Sequence, residues 1–148
     1  MTSVLAKSVY TFNLPVFMAE KSLILFCHCN YAQVVPPEVK AGVLQKLCES
    51  GRAFEAVSDL CEMSARRDPA LKRLADGERP VKVAACYPRA VKWLFSAANA
   101  PLQASQTEVV NMRELSAENS AEALLNDEVD NNLPADGKPA TVNGEKKI

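Results

Sequence analysis

The stretch LILFCHC at residues 23–29 decides the fold, because it joins an uninterrupted apolar run directly to two cysteines. A strand needs such a run when both faces of its sheet are covered, which is the situation in a parallel sheet. We therefore predict a buried strand over residues 21–29. Cys27 and Cys29 fall at the C-terminal end of this strand.

Two further strand patterns also end in cysteine. Residues 80–86 form a clear apolar run that finishes at Cys86, and residues 53–60 form a weaker one that is followed by Cys61. The sequence thus predicts three strands that each deliver cysteine at the C-terminal end.

Helix signals separate these strands. Pro36 and Pro37 are typical of the first turn of a helix, and Gly51 is typical of the position just past a helix end. The remaining predicted elements are a charged helix closed by Asp76 and Gly77, a helix at residues 89–99, a short strand at residues 107–112 and a helix at residues 117–125. This alternation predicts an α/β fold, a small three-layer domain with a mostly parallel sheet of about four strands and helices on its faces.

Composition limits the classes of partner. The chain of 148 residues is 48% hydrophobic, which suffices for one domain with its own core. Its formal net charge of -1 gives no basic excess, so we expect neither nucleic acid nor a membrane as a partner. We predict a soluble protein with an α/β domain at residues 21–125, a disordered polar tail at residues 126–148, and an N-terminal extension at residues 1–20 whose place in the fold stays open.

The cysteine count points to a reducing compartment. Five cysteines, an odd number spread unevenly, do not match a small scaffold stapled by disulfides. We therefore expect a cytoplasmic protein, in which clustered cysteines serve metal or redox chemistry more often than structural bridges.

Cys27, Cys29, Cys61 and Cys86 form the candidate site. The C-terminal ends of parallel strands meet at one edge of the sheet, where open α/β folds bind their ligands. Four thiolates are what a [4Fe-4S] cluster or a tetrahedral zinc site requires, and the pattern does not distinguish the two. The competing interpretation is that apolar strands simply favour buried cysteine.

Three nearby residues are interpreted differently. Cys48 follows Leu47 in a predicted helix, so we expect a small buried side chain there and exclude it from the site. Alternation along a strand points His28 away from the neighbouring sulfurs, which argues against a ligand. Arg89, just after the turn at Cys86, is placed to offset the negative charge of a four-thiolate cluster.

Three blocks of the chain resemble a known family: FCHC at residues 26–29, AACYPR at residues 84–89 and NMRE at residues 111–114. They are similar to the N-terminal iron-sulfur domain of the heterodisulfide reductase A subunit and related flavoprotein oxidoreductases. The family pattern is a C-H-C-G block, a C-S-x-x-G-Q block, an A-C-S-P-R block and an N-I-R-E block, in the same order. The resemblance covers residues 21–125 and implies that Cys27, Cys29, Cys61 and Cys86 are the cluster ligands.

The chain departs from that pattern around the cysteines. Asn30 replaces a glycine, Glu62 and Met63 follow Cys61 without a Gly-Gln pair, and Val91 and Lys92 replace a His-Glu pair. These changes bear on the reduction potential and on the docking partner. The family's larger members continue into a flavin-binding domain, and this chain carries no dinucleotide fingerprint, so we expect no flavin on it.

The resemblance implies an electron-transfer protein or a small subunit of a heterodisulfide-reductase-like oxidoreductase, rather than an independent catalyst. Its partner would be a redox protein, either a flavoprotein or another subunit of such a complex. The alternative is a structural or regulatory module with zinc on the same cysteines. A thiol-disulfide protein that uses Cys27 and Cys29 ranks last, because their one-residue spacer at a strand end lacks the helix N-terminus that lowers a thiol pKa.

Overall fold

A four-stranded parallel sheet with five α-helices makes up residues 22–135, the part of the chain that the computed structural model describes. The elements in chain order are β1 Leu23–Cys27, α1 Pro37–Ser50, β2 Glu55–Val57, α2 Leu60–Ala65, α3 Pro69–Ala75, β3 Val81–Ala85, α4 Pro88–Ala97, a 3-10 turn Ala104–Gln106, β4 Thr107–Asn111 and α5 Ala117–Leu125. The predicted α/β fold with a parallel sheet is confirmed.

The strand order β2-β1-β3-β4 contains one reversal, at the centre of the sheet. The chain leaves β1 for β2 on one side and then crosses to β3 on the other, so the order reverses between β1 and β3. Helix α1 packs against α5, whereas α2 and α3 pack against α4. Right-handed crossovers place these two helix groups on opposite faces of the sheet. Open α/β folds bind ligands at such a reversal, outside the carboxyl ends of the strands.

Burial of the two central strands explains their apolar runs. Ile24, Leu25 and Phe26 of β1 are fully buried, and every residue of β3 is buried as well. Helices cover both faces of the sheet, so neither strand has a solvent-facing side. The core therefore sits directly beneath the edge that carries the cysteines.

One buried residue of β3 is charged. The Lys82 side chain has no solvent exposure, and its Nζ donates to the carbonyls of Ala123 and Asn126 at 2.6 Å each. The carboxylate of Glu108, on the neighbouring strand, lies 3.6 Å from the same Nζ. Burial lowers the pKa of Lys82, and Glu108 opposes that effect. The Lys82 ammonium thus offsets the partial negative charge of the carbonyls at the C-terminal end of α5.

The second strand and the following helix differ from the prediction. The strand covers only Glu55–Val57 instead of residues 53–60, because Asp59 caps a new helix by accepting from the Glu62 amide at 3.0 Å. Cys61 therefore lies in the first turn of α2 and not at a strand end. The predicted single charged helix is two helices, separated where Arg67 adopts a φ of 52°.

The segment after α5 also differs from its prediction as a disordered tail. Residues 126–135 contact the edge strand β4 through Asn132, which bonds both backbone groups of Val109. The Asn132 Oδ1 accepts from the amide and Nδ2 donates to the carbonyl, each at 2.8 Å. Lys92 Nζ donates to the Pro134 carbonyl at 2.6 Å. The predicted extension at residues 1–20 and the rest of the tail, residues 136–148, lie outside the described residues.

None of the helices within residues 22–135 is long and apolar enough to cross a membrane.

Candidate functional site

A crevice lies between the carboxyl ends of β1 and β3, at the reversal of strand order. It is lined by Cys27, Cys29, Cys61 and Cys86, together with Asp59 and apolar side chains from the surrounding loops and from α4. Its volume of about 20 Å³ admits roughly one water molecule. The four cysteines predicted to converge thus share one small, mainly apolar space.

The four thiols reach this crevice from different local structures. Cys27 is the last residue of β1 and Cys86 directly follows β3, as the strand pattern predicts. Cys29 lies in the loop after β1, and Cys61 is the second residue of α2. Cys27 and Cys29 are buried, Cys86 is half-buried and Cys61 is exposed, so the crevice is accessible on the Cys61 side.

Backbone amides donate hydrogen bonds to two of the sulfurs. The Leu60 amide lies 3.4 Å from Cys27 Sγ and the Val34 amide lies 3.3 Å from Cys29 Sγ, each as a hydrogen-bond donor. Amide hydrogen bonds favour the charged form of a sulfur ligand and tune the potential of a cluster bound to it. The loops are therefore folded with donors directed at sulfur.

Cys29 holds an unusual backbone conformation. Its φ of 56° lies in the left-handed region, which costs a residue other than glycine about 1–2 kcal/mol. The loop nevertheless keeps this shape, because the Gln33 amide donates to the Cys29 carbonyl at 2.9 Å and the Asn30 amide donates to the Ser58 carbonyl at 3.0 Å. Strained residues that the surrounding structure holds in place are concentrated at functional sites.

Burial favours the protonated form of Cys27, Cys61 and Cys86 by raising the pKa of each thiol. It raises the pKa of Cys27 from an ordinary 9.0 to about 11, although the amides of Leu60 and Cys29 act in the opposite direction. Burial also raises the pKa values of Cys61 and Cys86, and a charge on Cys29 raises both further. A metal that binds here must displace these protons, so its affinity falls at low pH.

The present side-chain positions do not form a metal cage. Within residues 22–135, no group of three or more His, Cys, Asp or Glu side chains is arranged so that it could hold a metal ion. The donor set is suitable for zinc or an iron-sulfur cluster, but the thiols must move into ligand positions to bind either one. The Cys61 side chain, which is exposed, is the one best placed to rotate into such a position.

The remaining candidate residues lie outside the crevice. Cys48 is exposed on α1, which corrects the predicted burial: Val43 and Leu47 face the core, and the next residue along the helix is turned by about 100°. The His28 ring packs edge-on against Phe26 at 5.0 Å between ring centroids. Arg89 is exposed in the first turn of α4.

A different cation lies near Cys86. The Arg113 guanidinium stacks over the Tyr87 ring, 5.2 Å from its centroid. Its charge lowers the pKa of Cys86, although burial has the larger effect and raises it. Arg113, rather than Arg89, is thus the cation whose charge acts on Cys86.

Asp59 is the site residue that the sequence analysis missed. Its side chain is 1% exposed and contacts both the Cys29 loop and the start of α2. The four residues 59–62, DLCE, match the capping-box pattern of an N-cap acid with glutamate three residues later. That pattern could have identified both the helix start and the position of Cys61.

No family model, curated protein or solved structure matches the chain. The resemblance to the heterodisulfide reductase domain remains a prediction drawn from the quoted blocks.

Proposed function

We propose that this chain is an electron-transfer protein, or a small subunit of a heterodisulfide-reductase-like oxidoreductase, that binds a [4Fe-4S] cluster through Cys27, Cys29, Cys61 and Cys86. The observation that carries the proposal is that these four cysteines line one crevice at the strand-order reversal, while Cys48 lies apart on α1. Chance placement of buried cysteine in strands does not account for Cys61, which is exposed and reaches the crevice from the first turn of α2.

A [4Fe-4S] cluster on four thiolates supplies one-electron chemistry without a catalytic base or nucleophile. The protein's part is to control charge and water around the sulfurs. The Leu60 and Val34 amides donate toward sulfur, and Arg113 adds positive charge near Cys86. Val91 and Leu94 from α4 help to keep the crevice apolar. The amide donors and Arg113 make negative charge at the thiolates less costly, whereas the apolar side chains limit the access of water.

A partner must exchange electrons with this site, and exposed apolar residues lie on the same edge of the sheet. Tyr31 and Val34 belong to the loop after Cys29, Tyr87 follows Cys86, and Leu115 follows β4. Tyrosine and arginine are enriched at protein interfaces, and Arg113 stacks on Tyr87 here. We propose that a flavoprotein or another subunit of such a complex docks on this edge, in the reducing environment of the cytoplasm.

Zinc on the same thiols is the second candidate, and the size of the crevice favours it. A space of about 20 Å³ must enlarge more for a four-iron cluster than for a single ion. In that case the site would be structural or regulatory, because zinc has no redox chemistry.

Single cysteine substitutions test the assignment of the ligands. Cys27→Ser, Cys29→Ser, Cys61→Ser and Cys86→Ser should each lower the metal content of anaerobically purified protein severalfold, because each removes one of four thiolates. Cys48→Ser is the matched control and should retain the wild-type metal content. Equal loss in the Cys48 variant, or no loss in the other four, would refute the assignment.

A further inference from the structure

Two chain segments that carry cysteines meet at a single buried carboxylate. The Cys29 loop, residues 28–34, contacts one oxygen of Asp59, and the first turn of α2, which carries Cys61, contacts the other. We propose that Asp59 is a positioning residue that joins the Cys29 loop to the Cys61 helix and so holds two of the four thiols in register. This inference rests on the proposed function, because it concerns the same four-thiol site.

The two oxygens of Asp59 serve different segments. Oδ2 accepts from the Tyr31 amide at 2.8 Å and from the Ala32 amide at 3.0 Å, both in the Cys29 loop. Oδ1 accepts from the Glu62 amide at 3.0 Å and thereby caps α2. Tyr31 and Ala32 lie 28 and 27 residues before Asp59 in the sequence, so one side chain connects distant parts of the chain.

This double role requires a carboxylate. Serine, threonine and asparagine also cap helices, but each offers only one acceptor oxygen in this position. An asparagine that keeps the cap would present its NH₂ group to the Tyr31 and Ala32 amides, so that donor faces donor. Asp59 is therefore the residue type that satisfies both segments at once.

The carboxylate stays ionised despite its burial. Desolvation acts to raise the pKa of Asp59, but hydrogen bonds from the amides of Ala32, Glu62, Tyr31 and Cys61 outweigh it, and the net shift is downward. Charge-assisted hydrogen bonds of this kind are about twice as strong as neutral ones. Four backbone amides from the two segments thus converge on one carboxylate.

The consequence concerns how the thiols come together. A metal site binds tightly when its ligands are held near their final positions by surrounding hydrogen bonds, and loss of such a support lowers metal affinity by roughly 10–100-fold. Asp59 fixes Cys29 relative to Cys61 before any metal arrives. Without it, the Cys29 loop loses the hydrogen bonds of Tyr31 and Ala32. The loop keeps the bond from the Asn30 amide to the Ser58 carbonyl and that from the His28 amide to the Val57 carbonyl, but with fewer bonds we expect it to open more often.

The experiment compares Asp59→Asn with Asp68→Asn in the full-length chain. Asp68 is a matched control, because it caps α3 through the Ala70 amide at 2.9 Å but contacts no cysteine loop. Reduced, metal-free protein is treated with iodoacetamide, and the modification rates of Cys29 and Cys48 are followed by mass spectrometry. Cys48, which is exposed on α1, serves as an internal reference.

We expect Asp59→Asn to raise the Cys29 rate roughly tenfold or more relative to Cys48, since a charged hydrogen-bond junction no longer closes the loop. Exchange of the Tyr31 and Ala32 amide protons should accelerate in parallel. Asp68→Asn should behave like the wild type in both measurements. An unchanged Cys29 rate in Asp59→Asn, with circular dichroism that shows a folded protein, overturns the inference.

Zinc binding separates this inference from the proposed function. If the wild type binds Zn²⁺ through the four thiols, Asp59→Asn should weaken that affinity by roughly 10–100-fold, and equal affinity would overturn the positioning role. If the wild type binds neither zinc nor iron, the proposed function fails, while the modification and exchange rates still decide whether Asp59 joins the two segments.

Discussion

The Cys27 thiol is more costly to ionise in the folded chain than in the unfolded one. Burial raises its pKa from 9.0 to about 11, so the folded protein keeps a proton that the unfolded protein releases. The folded state therefore binds more protons between these two values, and the free energy of unfolding must fall as pH rises. Stability is fully present below pH 9 and is lost toward pH 11.

Cys27→Ala makes this effect measurable in reduced, metal-free protein. Toward pH 11, the free energy of unfolding of the wild type should fall by about 2–3 kcal/mol more than that of the variant, at about 1.4 kcal/mol for each pKa unit. Urea denaturation of both proteins from pH 7 to pH 11 gives the difference, in which titrations common to both cancel. A constant difference across this range would contradict the proton linkage of Cys27.

Individual residues show where sequence patterns suffice. Cys27 and Cys86 were predictable, because apolar runs locate the ends of buried strands. The exposure of Cys48 was not, because a helix face is set by which neighbours pack against it, and one residue of phase error turns a side chain by about 100°. Asp59 was missed because its contacts with Tyr31 and Ala32 depend on a loop brought close by the sheet.

Helices α1 and α5 pack closely at Gly42, where there is no room for a side chain. A Cβ at this position would lie 2.6 Å from the Cβ of Ala117, which is fixed to its own backbone and cannot rotate away. Gly42→Ala should therefore force the helices apart and destabilise the protein by about 1–3 kcal/mol in chemical denaturation.

Two variants control for other effects of Gly42→Ala. Adding Ala117→Gly removes the opposing atom and should restore most of the lost stability. Gly77→Ala, whose new Cβ would have no neighbour closer than the Leu74 carbonyl at 4.0 Å, should change the stability little. Equal effects at the two glycines would show that the close approach of α1 and α5 is unimportant.

The edge strand β4 depends on a side chain from the following segment. Asn132 satisfies both the amide and the carbonyl of Val109, so Asn132→Ala leaves two backbone groups without their partners. We expect a loss of about 1–3 kcal/mol in the free energy of unfolding. The adjacent exposed Asn131 supplies the control, since Asn131→Ala should leave stability within about 0.5 kcal/mol of the wild type.

Element boundaries followed the sequence where local signals were strong. The helix at residues 117–125 and the proline start and Gly51 end of α1 match the structure. The weak strand before Cys61 was predicted too long, because Asp59 stops the strand and starts a helix. Composition predicts disorder for the polar segment after Asn126, because composition carries no information about the bonds that Asn132 makes with the edge strand β4.

At the scale of the whole molecule, topology turns separate cysteines into a site. Parallel strands with a reversal between β1 and β3 bring three distant parts of the chain to one edge. The parallel direction follows from the alternation of strands and helices, whereas the strand order and its reversal do not. The nature of the bound group does not follow from topology. Four thiols suit both zinc and iron-sulfur clusters, and their final spacing depends on side-chain rotations such as that of the exposed Cys61.

Metal analysis of the wild-type chain, purified without oxygen, shows directly whether the four cysteines bind an iron-sulfur cluster. We expect brown protein that contains about four irons and four sulfides per chain and gives a paramagnetic signal on reduction. Colourless protein with one zinc per chain would replace the electron-transfer function by the zinc alternative. Protein that carries neither metal, even after incubation with iron and sulfide or with zinc, would contradict the claim that the four cysteines form a metal site.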